Sequence, residues 1–169
     1  MSIPEGCKTY WPMFKRAEAQ TGMPAKMLSA ICWRESLFGA ALTPPGPAGT
    51  GDFGHGRGLM QIDDRWHKDF VAGELWKDAQ ANIIKGAEIL HDALGFFVQR
   101  GYSGPKLWSC AISAYNAGCS AVLKAVTTEK PGDPDSPTTG RNYSRDVLSK
   151  AEMISKSAMY LEAPDDSIL

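Results

Sequence analysis

The sequence predicts an α+β chain, predominantly α-helical, with a small irregular β-hairpin region beside a helix that carries a glutamate on its apolar face. Three observations lead there. Apolar residues recur at three- and four-residue steps through most of the chain. Between two such segments, residues 40–58 turn abruptly to glycine and proline, a composition that excludes helix. A length of 169 residues with 43% hydrophobic content suits one compact domain with a substantial core and is short for two. The whole chain, 1–169, is therefore read as a single domain.

Taken in order, Tyr10, Phe14 and Ala17 share a face across residues 7–20, and Gly22 suits the end of that helix. Pro24 fits a first-turn position for the next, whose face is Leu28, Ile31, Cys32 and Glu35, with Gly39 as its exit. The Pro44-Pro45-Gly46-Pro47 run and five following glycines make a loop or an irregular hairpin, because glycine reaches positive φ and lets backbone approach closely. Leu59-Met60-Gln61-Ile62 then demands burial, which a flexible linker would not. Residues 78–100 form a long helix capped by Asp78, with Ile83, Ala87, Leu90, Leu94 and Phe97 on its core face and His91 as a surface or half-buried histidine rather than a ligand. Pro105 opens a helix that runs to Gly118. A short helix near residues 121–126, a surface loop over 131–140, and a last helix using Tyr143, Val147, Leu148, Ala151 and Ile154 follow, with a fading tail after Leu161.

Charge excludes some partners. A net charge of −1 provides no broad basic field, so neither nucleic acid nor an anionic membrane surface is expected to capture the chain. No apolar run reaches membrane-spanning length, and the first residues lack a charged start followed by an apolar stretch, so no signal peptide is read. Cys7, Cys32, Cys110 and Cys119 permit three complete pairings and match no zinc spacing. Disulfides and buried free thiols are equally open at this stage. His55, His67 and the nearby aspartates show no metal-ligand spacing either, and neither metal nor cofactor is expected.

The chemistry gathers around Gly51 to Asp63. Glu35, Asp52 and Asp63 place three carboxylates on and beside this glycine-rich segment. Cleaving a glycosidic bond calls for a proton donor on one side of the sugar and an activated nucleophile on the other, roles usually filled by carboxyl groups. A carboxyl on a buried stripe near a helix C-terminus is desolvated and meets the negative end of the dipole, and both effects favour its protonated form. Glu35 thus reads as a general acid, against the alternative of an ion pair with Arg34. Asp52 as a turn residue and Asp63 as a helix cap are the structural alternatives for the other two.

Three motifs stand in fixed order: Arg34-Glu35-Ser36, Gly58-Leu59-Met60-Gln61-Ile62-Asp63, and Ile112-Ser113-Ala114-Tyr115-Asn116-Ala117-Gly118. Over residues 31–147 they resemble the goose-type lysozymes and the related soluble lytic transglycosylase domains. The paired aspartates, with His67 and Tyr143 at matching positions, bring the chain nearer to the former. The resemblance implies a lysozyme-like fold and hydrolysis of the β-1,4 bond between N-acetylmuramic acid and N-acetylglucosamine in bacterial peptidoglycan. It implies Glu35 as acid and Asp52 and Asp63 as residues that hold and deprotonate water. Mutual repulsion would raise one aspartate's pKa and make the two titrate together. Carboxyl groups set apart for a water predict inversion.

Ser36, Phe53, Met60, Gln61, His67, Tyr115, Asn116 and Tyr143 are the expected substrate-binding residues. Gln61, Tyr115 and Asn116 offer hydrogen bonds to sugar groups, while Phe53, Met60 and Tyr143 offer apolar faces. A monomer acting outside the cytoplasm, with a proteinaceous inhibitor as a further partner, completes what the resemblance implies. The cysteines do not fall where vertebrate members carry disulfides, and the Pro44 to Gly49 insert is unusual, features in keeping with a phage, bacterial or other non-vertebrate source. Two alternatives stand beside hydrolysis: a lytic transglycosylase yielding 1,6-anhydro-muramoyl ends, and a non-catalytic peptidoglycan-binding module.

Overall fold

Helix α1, Glu5–Thr21, buries Cys7, Trp11, Phe14 and Ala17 and stops at Gly22, whose φ of 74° lets its N–H return to the Glu18 carbonyl at 2.8 Å. These are features of a computed structural model that describes residues 2–128 and 132–157. Helix α2, Ala25–Ser36, is buried on most of its circumference, with Leu28, Ser29, Ala30, Ile31, Cys32, Trp33 and Ser36 all inside. A helix buried over most of its surface is the centre of a core. It packs on α1 and on α7, Tyr143–Ser155, while α4, Ala79–Val98, packs on α1 and on α5, Gly104–Ala117. Helix α6, Cys119–Thr128, follows α5 directly, and a short α3 spans Lys68–Ala72. The result is a mainly helical α+β fold of the lysozyme-like kind.

The glycine-rich segment folds as a small antiparallel sheet in the order β1 (Thr50–Gly51), β2 (Gly56–Arg57), β3 (Ile62–Asp63). A 3₁₀ turn over Asp52–Gly54 joins the first two strands. Gly51 and Gly56 have a steric reason: a Cβ at either would overlap the Gln61 amide oxygen. Asn82 of α4 fixes the sheet from behind, accepting the Met60 N–H at 2.8 Å and donating to the carbonyls of Arg57 at 3.0 Å and Trp76 at 3.1 Å. Asp78 caps α4 by accepting the Ala81 N–H at 2.8 Å, as its sequence position predicts.

Two sequence expectations need correction. Helix α2 exits at Leu37, with φ of 52°, two residues before Gly39. Phe38 takes φ of 55° as well and turns back into the core, where its ring meets Phe14 edge-on at 6.3 Å. Burial of that aromatic outweighs the backbone preference for glycine at the turn. The loop over 132–140 is not simply a surface loop, because Asp135 within it is wholly buried. Between Asp63 and Asp78, where periodicity signals nothing, stand α3 and a 3₁₀ turn over Leu75–Lys77.

The expected tail beyond Leu161, and Pro131 of the loop, lie outside the described residues. All four cysteines are free thiols; Cys7, Cys32 and Cys110 are buried and Cys119 is half-buried. Cys7 lies 3.1 Å from the Ser29 hydroxyl. Among the described residues no helix is long and apolar enough to cross a membrane.

Candidate active site

A cleft of about 1180 Å³ opens between the end of α2, the small sheet, α4 and the C-terminal half of α5, with Thr139 and Tyr143 closing one wall. Glu35, Asp52 and Asp63 all line it, so the fold brings the three carboxylates of the sequence to one cavity. Gln61, His67, Tyr115, Asn116 and Tyr143 line it too.

Glu35 stands on the last turn of α2, half-buried, and the Tyr143 hydroxyl donates a hydrogen bond to its Oε1. Burial raises its pKa to about 7; the Tyr143 hydrogen bond and the Arg34 charge pull it down, and the charge of Asp52 pushes it up. A carboxyl poised there holds a proton near neutrality and can release it, the condition a general acid requires. The alternative of an Arg34–Glu35 ion pair does not form. Arg34 instead donates to Asp146 Oδ2, to the Thr139 carbonyl and to Asn142 Oδ1, each at 3.2 Å. Its guanidinium carbon lies 5.5 Å from the centre of the Tyr143 ring.

The two aspartates face each other through Arg65. Its Nε donates to Asp63 Oδ1 at 2.9 Å and Oδ2 at 3.1 Å, and its Nη2 to Asp63 Oδ2 at 2.5 Å and Asp52 Oδ2 at 3.3 Å. The Arg65 backbone N–H also donates to Asp63 Oδ1 at 2.8 Å. Hydrogen bonds and charge from Arg65 hold Asp63 below the usual carboxylate range, with burial opposing them. Asp63 is therefore not an aspartate raised by mutual repulsion: an interposed cation sets attraction against that repulsion. Asp63 closes an Asx-type turn after β3 and caps no helix; α3 begins five residues later.

Asp52 is exposed, at φ of 47°. Phe53 follows at φ of 54° and is fully solvent-exposed. Left-handed backbone at two successive non-glycine residues is uncommon, and strain of this kind concentrates at functional sites.

Three expected substrate contacts are placed outside the cleft, and a fourth, Tyr143, lines it in another role. Phe53 points into solvent and does not line the cleft. Met60 is wholly buried with its side chain against Gly86, so it offers no face to a sugar. Ser36 is wholly buried, donating to the Leu59 carbonyl at 2.7 Å and accepting the Gly39 N–H at 3.0 Å. Tyr143, 1% exposed, holds Glu35 rather than presenting its ring. Apolar character predicts burial as readily as ligand contact, and burial won at Met60 and Tyr143.

The remaining residues keep a place in the cleft with partners of their own. Tyr115 donates to the Met60 carbonyl at 2.8 Å, and burial pushes its phenol pKa well up. Asn116 is exposed, and its Oδ1 accepts the Thr139 N–H at 2.9 Å. Gln61 Nε2 donates to the Gly58 carbonyl at 2.8 Å. Partial burial and the nearby Lys85 lower the His67 pKa, favouring neutral imidazole at neutrality. The His67 backbone N–H donates to the Asp63 carbonyl at 3.0 Å, while no hydrogen bond joins its ring to an aspartate carboxylate among the described residues. His55 pairs with Asp64 at 2.9 Å, and no group of three metal-ligating side chains gathers among the described residues.

Sequence reasoning missed Arg65 and Trp66. The signal for Arg65 is its spacing, two residues beyond Asp63 after a strand, where a turn folds a long cation back on the carboxylate. Trp66, 82% exposed at the cleft, carries no such signal.

Comparison with known proteins finds relatives of this chain. The family model described as Lysozyme g matches residues 4–158. The chain is 32% identical over 149 residues to a protein named lysozyme g from Cyprinus carpio, covering 85% of this chain and 71% of the carp protein. It is 30% identical over 145 residues to one from Struthio camelus and 32% identical over 146 residues to one from Gallus gallus. The matches cover 85% of this chain in both cases, and 64% and 62% of those relatives. The chain thus spans a little under two thirds of the length of these two relatives.

Proposed function

Because the chain belongs to the lysozyme g family and is a glycoside hydrolase of the lysozyme kind, we propose that it cuts peptidoglycan between N-acetylmuramic acid and N-acetylglucosamine by a single inverting displacement. Glu35 gives its proton to the leaving glycosidic oxygen as the bond to the anomeric carbon breaks. A water held by Asp52 and Asp63 attacks that carbon from the opposite face and yields a proton to the carboxylates. The observation that carries this reading is a half-buried Glu35 with a pKa of about 7 in the same cleft as Asp63, whose pKa lies below the usual carboxylate range. Environments that push two carboxyl groups apart divide acid from base.

Arg65 occupies both oxygens of Asp63 and only one of Asp52, so Asp52 Oδ1 is the freer acceptor for the water's proton. Asp63 then orients the water and anchors Arg65. Gln61, Tyr115 and Asn116 supply polar contacts to sugar hydroxyl and N-acetyl groups, in a cleft of the size such ligands need. The chain works as one catalytic domain, outside the cytoplasm where peptidoglycan lies.

Product mass and anomeric configuration test the reading. Hydrolysis adds one water and an inverting attack releases the α-anomer; anhydro-muramoyl ends instead would establish transglycosylation. Loss of wall turbidity with the wild-type protein, abolished by Glu35→Gln, separates an enzyme from a binding module, which is inactive in both forms.

A further inference from the structure

Behind the cleft, the loop over 132–140 buries a carboxylate that no step above uses. Asp135 is wholly buried and accepts four hydrogen bonds. Oδ1 accepts from the Ser113 hydroxyl of α5 at 2.8 Å and from the Ser144 N–H at 2.7 Å. Oδ2 accepts from the Ser144 hydroxyl at 3.0 Å and from the Arg145 N–H at 3.2 Å. Burial pushes its pKa up, but the hydrogen bonds prevail and hold it below the usual carboxylate range. Two of the donors belong to the first turn of α7, where backbone N–H groups lack partners within the helix. A buried charge with this many donors fixes their positions, since any displacement leaves it unpaired.

The elements so joined are the ones that build the site. Tyr143, immediately before Ser144, is the first residue of α7 and the donor to Glu35. Ser113 lies one turn before Asn116 on α5. The same loop runs on through Thr138, which donates to the Asp135 carbonyl at 2.8 Å. It continues to Thr139, whose N–H meets Asn116 and whose carbonyl meets Arg34.

We propose that Asp135 is a positioning residue for Glu35: by locking the start of α7 to α5 it keeps the Tyr143 hydroxyl on the Glu35 carboxyl and so sets how tightly that group holds its proton. A carboxylate that only stabilises the core would lower the melting temperature when replaced and leave Glu35 unchanged. A positioning residue moves the titration of Glu35. The direction is diagnostic, because removing a negative charge by itself makes a neighbouring carboxyl more acidic, whereas losing the Tyr143 hydrogen bond makes Glu35 less acidic.

The test is a ¹³C NMR titration of the Glu35 carboxyl in wild type, Tyr143→Phe, Asp135→Asn and the double variant, at a temperature where circular dichroism shows each folded. Tyr143→Phe raises the Glu35 pKa by about one unit, the value of a charge-assisted hydrogen bond. Asp135→Asn is expected to move it in the same direction, and the double variant no further than Tyr143→Phe alone. If Asp135→Asn does not fold, Ser113→Ala removes one donor, and a smaller upward shift that vanishes in the Tyr143→Phe background is expected. A wild-type titration in folded Asp135→Asn (or, failing that variant, in Ser113→Ala), or shifts that add in the double variant, overturns the proposal. The titration needs no substrate, so inactivity of the wild-type protein on peptidoglycan would refute the proposed function and leave this result to stand or fall separately.

Discussion

Replacing Glu35 by Gln should make the protein more stable above neutral pH while abolishing its activity. Gln keeps the shape of the side chain and can still accept from Tyr143, but it does not titrate. In the native state Glu35 has a pKa of about 7 against an ordinary value of 4.5, raised chiefly by burial. Between those values the native state holds a proton that the unfolded chain has released, so wild-type stability falls as pH rises from 4.5 to about 7 and levels off above. The gap corresponds to about 3 kcal/mol at about 1.4 kcal/mol per pH unit. For a chain of this length that is roughly 10 °C in melting temperature. Urea unfolding of both proteins from pH 4 to pH 8 isolates the effect, because the difference cancels every other titrating group. The two curves should coincide near pH 4 and diverge to about 3 kcal/mol in favour of the variant by pH 8. A difference independent of pH, or a variant less stable at pH 8, would refute the account of a proton held by desolvation.

The other expectations follow from single contacts. Ser36→Ala should cost about 1–3 kcal/mol in urea unfolding, because the buried Leu59 carbonyl loses its 2.7 Å partner; an unchanged midpoint would contradict it. Arg65→Ala should let the Asp63 pKa rise, moving the acidic limb of the pH–rate profile to higher pH, and an unmoved limb would show that Asp63 ionisation does not control the rate. Asp52→Asn and Asp63→Asn should each reduce kcat, with a larger loss together; full activity of the double variant would remove both from the reaction. Gly56→Ala places a methyl group where the Gln61 amide oxygen lies. It should therefore lower kcat/KM, with Gln61→Ala adding little to it, whereas independent effects would place Gln61 outside the binding path.

Local pattern is legible in this chain and long-range pairing is not. The Asp78 cap, the Gly118 stop and the apolar faces of α1, α2 and α4 arise from neighbours within a few residues, so spacing reveals them. The three carboxylates were legible for the same reason, being tied to a glycine-rich segment and a helix end. Spacing reports which face is apolar but not what that face meets. Met60 and Tyr143 could thus be read as ligand surfaces when one lies against Gly86 and the other beneath Glu35. Ser36 and Asp135 show the converse: polar residues whose partners, Leu59 in one case and Ser113 and Ser144 in the other, lie 9 to 23 positions away. Nothing in a local window distinguishes them from surface residues. Phe38 defeated the turn rule at Gly39 because an aromatic ring gains more from the core than the backbone loses at positive φ.

The four unpaired cysteines give the chain an unusual independence from redox conditions. No native disulfide shortens the loops of the unfolded ensemble, so the fold is reached without selecting one pairing of cysteines among several. In the folded protein, burial keeps the Cys7, Cys32, Cys110 and Cys119 thiols protonated well past neutrality, which starves exchange chemistry of the thiolate it requires. Reductant therefore has no bond to break and oxidant little nucleophile to find, and the interval of exposure to either is the brief one in which the core is open.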